Sequence, residues 1–273
     1  MALFLEAIRR RPHAAIDETF PWSVSALRSL QTLRFTAPVT FFMGENGSGK
    51  STLLEAIALA AGAATAGALD IADDATLTGA RRLAATLVLQ RRAQPRARMF
   101  FRAEDAFGFT RRIESEMQAL DAQADALLGD EGAGLQARRR AAGYVRGQRA
   151  ALAASYGEDP HAQSHGETFL AILRRRIAAP GLYLLDEPET PLSPTRVLAL
   201  LSLIYEAARE GSQFIVATHS PILAALPSAQ ILLFENGTIG TAAYDDLEHV
   251  RVTRDFLVAP QRYLRHLIDP QTP

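Results

Sequence analysis

The sequence predicts an α/β fold with a mainly parallel sheet flanked by helices, an antiparallel β part near the N-terminus and a helical subdomain. Short apolar runs at Val39–Met43, Leu182–Asp186 and Gln213–Thr218 have the length of buried strands, and helical patterns separate them. Strands that alternate with helices in this way favour a parallel sheet with helices on its faces. We expect residues 1–273 to form one domain, with the helical subdomain inserted at about 110–180.

Strands and one helix are predicted for the N-terminal part. Leu30–Phe35 alternates apolar and polar residues, as a half-buried strand does, and the apolar run that ends at Met43 is closed by a glycine. A helix is expected from Lys50 to about Ala61. Leu83–Gln90 and Arg98–Glu104 are predicted to be further strands that form an antiparallel pair.

The rest of the chain is predicted to contain more helices and a hairpin. Residues 111–155 are rich in Ala, Arg, Glu, Gln and Asp, which favours two helices on either side of a break at Gly129–Gly134. The dipeptide Asn236-Gly237 lies between two apolar segments and predicts a hairpin turn. A final helix is expected from about Thr253 to Ile268.

The composition excludes several classes of protein. The chain has no cysteine, so disulfides, thiolate metal sites and cysteine nucleophiles are excluded. The formal net charge of −1 gives no overall attraction to nucleic acid or to anionic membranes. No apolar run reaches the ~18 residues that a membrane-spanning helix needs. We therefore expect a cytoplasmic protein without membrane insertion.

A phosphate-binding loop is predicted at Gly44–Ser51, which matches the pattern G-x-x-x-x-G-K-[ST] at every fixed position. The glycines allow backbone N–H groups to surround an anion at the start of the following helix. Lys50 is the only lysine of the chain, and we expect it to reach the β- and γ-phosphates of a nucleotide. The Ser51 hydroxyl is expected to ligate Mg²⁺. The predicted nucleotide-binding residues here are Gly44, Glu45, Asn46, Gly47, Ser48, Gly49, Lys50, Ser51 and Thr52.

Two later strands end in residues that suit the same chemistry. An acidic residue at the end of a buried strand is costly unless it meets a cation, so Asp186 is a candidate ligand of Mg²⁺. Glu187 would lie nearer the γ-phosphate and act as general base toward the attacking water. His219 would donate a hydrogen bond to the γ-phosphate, and the predicted catalytic residues are Glu187, His219 and Lys50. The simpler interpretation of the later residues is a charged strand exit and a surface histidine.

In order along the chain, the segments GENGSGKST, SHGE, LYLLDEP and ATHS resemble the ABC-type ATPase superfamily of P-loop proteins. In that family a serine-glycine motif opens a helix and contacts the γ-phosphate bound by the partner subunit. Ser164 and Gly166 match the serine and the second glycine, whereas His165 replaces the first glycine and Glu167 the glutamine. The resemblance implies that Ser164 and Gly166 bind nucleotide. The same segment also fits a helix N-cap with a capping box.

The resemblance implies a P-loop NTPase fold of the ABC ATPase head type that binds ATP and Mg²⁺, hydrolyses ATP and forms a homodimer around the nucleotides. The segment Glu187–Pro194 lacks the S-A-L-D sequence usual in transporter subunits. It is similar to the chromosome-maintenance and DNA-repair ATPases and their small stand-alone relatives, which leaves DNA repair, defence or regulation of a partner open. The alternatives are the nucleotide-binding subunit of an ABC transporter and a nucleotide-gated switch without hydrolysis.

Two family positions have more than one candidate. The glutamine that links Mg²⁺ to the helical subdomain could correspond to Gln90, Gln94 or Glu104. The aromatic residue that stacks on adenine could be Phe20 or Trp22, and the same segment could equally belong to the core.

Arginine clusters could contact a partner of this chain. They lie at Arg138–Arg149 and at Arg174–Arg176. Such clusters could bind nucleic acid phosphates, or they could form solvated helix faces in an arginine-rich chain. Nucleic acid and protein partners are both left open.

Overall fold

Ten strands form in the part of the chain that this computed structural model describes, namely residues 3–65, 75–103, 105–129, 132, 134–156, 165–177 and 180–268. In chain order the strands are β1 (Leu5–Arg10), β2 (Thr32–Arg34), β3 (Val39–Gly44), β4 (Ala64–Thr65), β5 (Leu87–Arg91), β6 (Ala97–Arg102), β7 (Gly181–Asp186), β8 (Gln213–Ala217), β9 (Gln230–Glu235) and β10 (Thr238–Thr241).

Ten α-helices lie in the same described ranges. In chain order they are α1 (Ser25–Ser29), α2 (Lys50–Ala61), α3 (Thr78–Thr86), α4 (Asp105–Gly129), α5 (Leu135–Tyr156), α6 (His165–Arg176), α7 (Pro194–Arg209), α8 (Pro221–Ala224), α9 (Glu248–Val258) and α10 (Pro260–Leu267). None of these described helices is long and apolar enough to cross a membrane.

The strands form two sheets. The larger has seven strands in the order β10-β9-β3-β8-β7-β6-β4, and all neighbours in it are parallel except the β9–β10 hairpin. The smaller sheet is antiparallel, with the order β2-β1-β5. The predicted α/β fold, with a mainly parallel sheet and an antiparallel part that begins near the N-terminus, is confirmed.

The parallel register brings three loops to one edge of the large sheet. Asp186 at the end of β7 is paired with Ala217 at the end of β8, and Phe42 near the end of β3 is paired with the same Ala217. Because carboxyl ends of parallel strands meet at one edge, the loops after β3, β7 and β8 are neighbours. These are the loops that carry the predicted phosphate-binding segment, Glu187 and His219.

The large sheet is buried on both faces, which explains its continuous apolar strands. On β3, Phe41 belongs to the apolar cluster that includes α6 and α7, whereas Phe42 belongs to the cluster formed with α2, α3 and the small sheet. The rings of Tyr183 and Phe214 stack on the α7 side with centroids 5.2 Å apart. The two apolar clusters therefore pack against opposite faces of the sheet whose carboxyl edge carries the site residues.

The strand predicted at Leu83–Gln90 is wrong in its first half and in its partner. Helix α3 extends to Thr86 because Ala80 and Leu83 bury one helical face against the core, and the alanine-rich sequence favours a helix. The strand that follows, β5, pairs with β1 in the small sheet, whereas β6 lies parallel to β7 in the large one. The predicted antiparallel pair of these two segments is therefore not formed.

The predicted C-terminal helix is interrupted. Helix α9 ends at Val258 and α10 begins at Pro260, with Ala259 between them at φ −143° and ψ 68°. A proline inside a helix lacks the N–H that the preceding turn needs and clashes with that turn, so the helix restarts instead of continuing.

Helix α4 ends at Gly129 and α5 begins at Leu135, so the predicted two helices with a break between them are confirmed. The two helices form an antiparallel pair. A small apolar cluster lies between them, formed by Ala124, Ala142 and Val145. The pair follows β6 directly and is followed by α6 and then β7.

Several arginines of the first basic cluster are engaged inside the α4–α5 pair. Arg149 contacts Asp121 at 3.3 Å, and Arg146 contacts Asp125 at 3.7 Å. A third arginine, Arg138, donates a hydrogen bond to the carbonyl oxygen of Leu128 at 3.2 Å. These three arginines of the cluster therefore contact the neighbouring helix of the pair.

Candidate nucleotide-binding site

The loop between β3 and α2 has a backbone that depends on glycine. Gly44, Gly47 and Gly49 all have positive φ, at 139°, 78° and 100°. A Cβ atom on Gly44 would lie 2.4 Å from the carbonyl oxygen of Phe234, so this strand end can approach β9 only as glycine. The loop therefore has the backbone form that turns successive N–H groups toward an anion.

Lys50 is buried beneath this loop. Its Nζ atom donates hydrogen bonds to the carbonyl oxygens of Gly44 at 2.8 Å and Glu45 at 2.7 Å. Burial lowers the pKa of Lys50, and the nearby carboxylates of Glu187 and Asp186 oppose that shift. The first turn of α2 thus holds an ammonium group at the place where phosphate groups would lie.

Ser51 and Asp186 place two oxygen atoms close together beside Lys50. The Ser51 hydroxyl donates a hydrogen bond to Oδ1 of Asp186 over 3.0 Å, and Asp186 is buried at the end of β7. Among the described residues no group of three or more His, Asp or Glu side chains is arranged to hold a metal. The pair suits Mg²⁺, which takes oxygen ligands and commonly binds one or two protein groups together with waters and phosphate oxygens.

Glu187 lies directly after Asp186 and has an unusual backbone conformation. Its φ is +47°, in the left-handed region that non-glycine residues rarely adopt. Its N–H donates a hydrogen bond to the carbonyl oxygen of Ala217 at 2.8 Å, which ties the turn to β8. The side chain is 44% exposed and faces the open side of the site.

His219 faces Glu187 from the neighbouring loop. Its Nε2 atom lies 3.9 Å from Oε1 of Glu187. Burial lowers the pKa of His219, the charge of Lys50 lowers it further, and the charge of Glu187 partly opposes both. The imidazole is therefore neutral near pH 7. Its Nε2 atom is shielded from solvent and has no hydrogen-bond partner in the described part of the chain.

A small cavity of about 140 Å³ opens beside these groups, and its lining includes Lys50, Ser51, Thr52 and Glu187. Phe20 lies at the same cavity with half of its surface exposed, whereas Trp22 is buried in the core. Of the two aromatic residues that the sequence offered for base stacking, the structure places only Phe20 at the site.

The loop that carries Phe20 is held by α3. The guanidinium group of Arg82 donates hydrogen bonds to the carbonyl oxygen of Phe20, to the Thr19 hydroxyl and to Asp17. The Phe20 ring lies against Gly79, where a Cβ atom would be only 2.0 Å from the ring. The position of the aromatic ring therefore depends on a glycine that sequence reasoning did not single out.

Comparison with known proteins adds two family models that cover different parts of the chain. One, described as an AAA domain, matches residues 23–128, which include the glycine loop. The other, described as an AAA domain, putative AbiEii toxin, type IV toxin–antitoxin system, matches residues 168–225, which include Asp186, Glu187 and His219.

A curated protein from Methanothermobacter marburgensis, named a putative ABC transporter ATP-binding protein, is 33% identical over 98 residues. The match spans about a third of both proteins, 34% of this chain and 35% of the relative. Over this third of its length the chain is similar to a protein described as ATP-binding.

Solved structures of ABC-type proteins are similar over nearly the whole length. One is the Smc head domain with an extended coiled coil, bound to the C-terminal domain of ScpA, from Pyrococcus furiosus; it is 13% identical, with a TM-score of 0.46, over 93% of this chain and 99% of that one. Another is a nucleotide-free ATP-binding cassette from an ABC transporter, 14% identical with a TM-score of 0.49 over 95% and 99% of the two chains.

The sequence predicts the second half of a shared nucleotide site at the start of α6. Ser164 lies outside the described residues, and Gly166 is the second residue of α6. Their predicted contact with a nucleotide of a partner subunit remains a prediction.

The three candidates for the glutamine that links Mg²⁺ to the helical subdomain lie in different parts of the fold. Gln90 lies on β5 in the small sheet, and Gln94 precedes the amino end of β6, at the edge of the large sheet opposite the site. Glu104 follows the carboxyl end of β6 but lies outside the described residues. Which of the three corresponds to the glutamine stays a prediction.

Sequence reasoning missed Glu189. Its Oε1 atom accepts a hydrogen bond from the Thr218 hydroxyl at 2.6 Å and one from the His219 backbone N–H at 2.8 Å. The available signal was a second acidic residue in the short loop after Asp186, whose role depends on a loop that is distant in sequence.

Proposed function

We propose that this chain binds ATP with Mg²⁺ and hydrolyses it, and that two copies close around the nucleotides. The observation that supports this best is the meeting of Lys50, the Ser51–Asp186 pair, Glu187 and His219 at one sheet edge. A cation, a pair of oxygen ligands, a carboxylate and a neutral imidazole around a glycine loop are the groups that phosphoryl transfer to water requires.

Each group has a defined task in this proposal. Backbone N–H groups of the loop and the Lys50 ammonium bind the phosphates, and the Ser51 hydroxyl and the Asp186 carboxylate hold Mg²⁺, which would neutralise phosphate charge when bound. The Glu187 carboxylate orients the attacking water and accepts its proton. The Nε2 atom of His219, which has no hydrogen-bond partner among the described residues, donates a hydrogen bond to the γ-phosphate.

The base of the nucleotide is proposed to stack on Phe20. The ring is exposed at the cavity that contains Lys50 and Ser51, and aromatic stacking on a nucleobase contributes about 1–3 kcal/mol. Arg82 and Gly79 hold the loop, so the ring is positioned before the ligand arrives.

Dimerisation would complete the site from the other side. Residues of one protomer at the start of α6, Ser164 and Gly166, would contact the γ-phosphate held by Lys50 of the other. The N-terminus of α6 carries partial positive charge, which suits a phosphate oxygen.

A second candidate is the nucleotide-binding subunit of a transporter, because the curated relative carries that description. Co-purification with a membrane protein would support it. The family model whose description includes a putative toxin matches the part of the chain that contains Glu187 and His219. That match supports the proposed ATPase site and does not favour one biological role over another.

Hydrolysis can be tested by measuring phosphate release from ATP by the purified chain, with Mg²⁺ and with a chelator. We expect release that requires Mg²⁺ and is lost in Lys50→Ala, since no other lysine can replace Lys50. An exposed arginine on α7, Arg209, provides the control Arg209→Ala, which should hydrolyse ATP like the unaltered chain. Release that persists in Lys50→Ala would reject the proposed site.

A further inference from the structure

Glu189 connects the loops that follow β7 and β8. Its Oε1 atom accepts the Thr218 hydroxyl at 2.6 Å and the His219 N–H at 2.8 Å. Both donors belong to the loop that carries the imidazole, and hydrogen bonds to a carboxylate are stronger than those between neutral groups. One side chain therefore attaches the His219 loop to the loop of Glu187.

The same contact extends through Thr218 into the next helix. The Thr218 hydroxyl accepts a hydrogen bond from the Ser220 N–H at 2.9 Å, and Thr218 is completely buried. The Ser220 side chain in turn accepts the N–H of Leu223 and caps α8. Hydrogen bonds thus hold the backbone on both sides of His219, and the Glu189 carboxylate accepts two of them.

The other carboxylate oxygen of Glu189 makes no such hydrogen bond with the described residues. Oε2 is shielded from solvent and has no partner within the described residues. A buried carboxylate oxygen without a partner is costly, and the two hydrogen bonds at Oε1 oppose that cost.

We propose that Glu189 is a positioning residue: it holds the backbone of His219 so that the imidazole Nε2 lies opposite the Glu187 carboxylate, 3.9 Å away. This inference rests on the proposed ATPase function. Both hydrogen bonds of Glu189 go to the loop that carries His219, so its loss should change the rate of hydrolysis more than the binding of ATP.

The first measurement follows the contact without any nucleotide. Selective ¹⁵N labelling of histidine yields at most six backbone amide signals, and the His219 signal is identified by its loss in His219→Ala. Its hydrogen exchange should be about tenfold faster or more in Glu189→Ala. It should stay within about twofold in Glu189→Gln, because the amide oxygen of Gln can accept the same two bonds.

The second measurement separates kcat from KM in steady-state ATP hydrolysis. Glu189→Ala should lower kcat about tenfold or more with KM within about twofold, and Glu189→Gln should restore most of kcat. Thr218→Val removes only the hydroxyl at constant shape and should lower kcat less, which keeps the test valid if Glu189→Ala does not fold. Glu210→Ala, an exposed glutamate after α7, is the control that should change nothing.

The outcomes distinguish the inference from the proposed function. Unchanged exchange of the His219 amide in Glu189→Ala and Thr218→Val would overturn the inference, as would faster exchange with an unchanged kcat. A fall in kcat that Gln does not restore would assign the effect to the charge of Glu189 and not to its hydrogen bonds, and would overturn it too. If the unaltered chain shows no hydrolysis that depends on Lys50, the proposed function fails and positioning for catalysis fails with it, whereas the exchange result still decides the contact.

Discussion

Ser51 on α2 donates a hydrogen bond to Asp186 at the end of β7. This bond joins the first turn of the helix that follows β3 to a strand that is separated from β3 in the sheet by β8. The two oxygens lie 3.0 Å apart, close enough for both to contact one cation after a small adjustment. A bound Mg²⁺ would therefore contact both oxygens without a new arrangement of the two elements.

The Ser51 hydroxyl is expected to set the requirement for Mg²⁺. In Ser51→Ala one of the two oxygens is lost, and the Mg²⁺ concentration for half-maximal hydrolysis should rise about tenfold, or ~1.4 kcal/mol. Magnesium titrations of phosphate release at fixed ATP measure this. Ser202→Ala, at an exposed position on α7, is the matched control, and an unshifted magnesium curve in Ser51→Ala would argue against Ser51 as a ligand.

Replacing Glu187 should separate nucleotide binding from hydrolysis. Glu187→Gln keeps the shape of the side chain but removes the base, so ATP should still bind while hydrolysis slows by about 10²–10⁴-fold. The ATP-bound dimer should then accumulate, which size-exclusion chromatography with light scattering would detect. The control is the same variant with ADP, which should stay monomeric. A variant that remains monomeric in saturating ATP would contradict the shared site.

Phe20 is expected to recognise the base and not the phosphates. Phe20→Ala should weaken ATP binding about tenfold or more, since stacking on a base contributes about 1–3 kcal/mol, and leave the affinity for tripolyphosphate unchanged. Isothermal titration of both ligands makes the comparison. Trp22 is not a suitable control because it is buried in the core; Phe256→Ala on α9 is a better one.

Gly79 offers an independent check of the same aromatic ring. A Cβ atom there would meet the Phe20 ring at 2.0 Å, so Gly79→Ala should displace the ring and reproduce the selective loss of ATP affinity. In the double variant with Phe20→Ala the two effects should not add, because the first change removes the group that the second displaces. Fully additive losses would show that Gly79 acts elsewhere.

His249 is expected to make stability depend on pH. Its pKa is lowered by burial and, to a smaller extent, by the charges of His219 and Lys50, and its Nε2 atom is buried without a partner among the described residues. The folded state therefore keeps His249 neutral at a pH where the unfolded chain, with a pKa near 6.5, takes up a proton. The contribution of His249 to the free energy of unfolding should be complete above about pH 6.5 and should decrease as the pH falls below that value.

Urea unfolding at pH 7.5 and pH 5.5 measures that dependence, and His249→Gln should reduce the difference between the two midpoints. His219 also has a lowered pKa and contributes with the same sign, so part of the difference should remain. His13→Gln, at an exposed position, serves as the control. An unchanged difference in His249→Gln would contradict the assignment.

The groups that follow from fixed spacing could be predicted from the sequence. The glycine loop and Lys50 are adjacent in the chain, and strand ends predict where Asp186 and His219 lie, because parallel strands share an edge. The helix from Lys50 to Ala61 and the turn at Asn236-Gly237 were predicted for the same reason, since local sequence determines both.

The relationships that depend on distant contacts could not be predicted. The local sequence of Leu83–Gln90 favours a helix in its alanine-rich first half, but it does not show that the second half pairs with β1 in the small sheet. Likewise, the partner of Glu189 lies in a loop about thirty residues away, and only the register of β7 with β8 brings the two together.

Helix α4 begins three residues after Arg102, whose backbone is paired with Asp186 in the sheet. With 25 residues it is about 37 Å long. A rotation of 10° at its first turn would therefore carry its far end through about 6 Å. Any small rearrangement at the Asp186 edge that tilts this helix is therefore amplified to several ångströms at its far end.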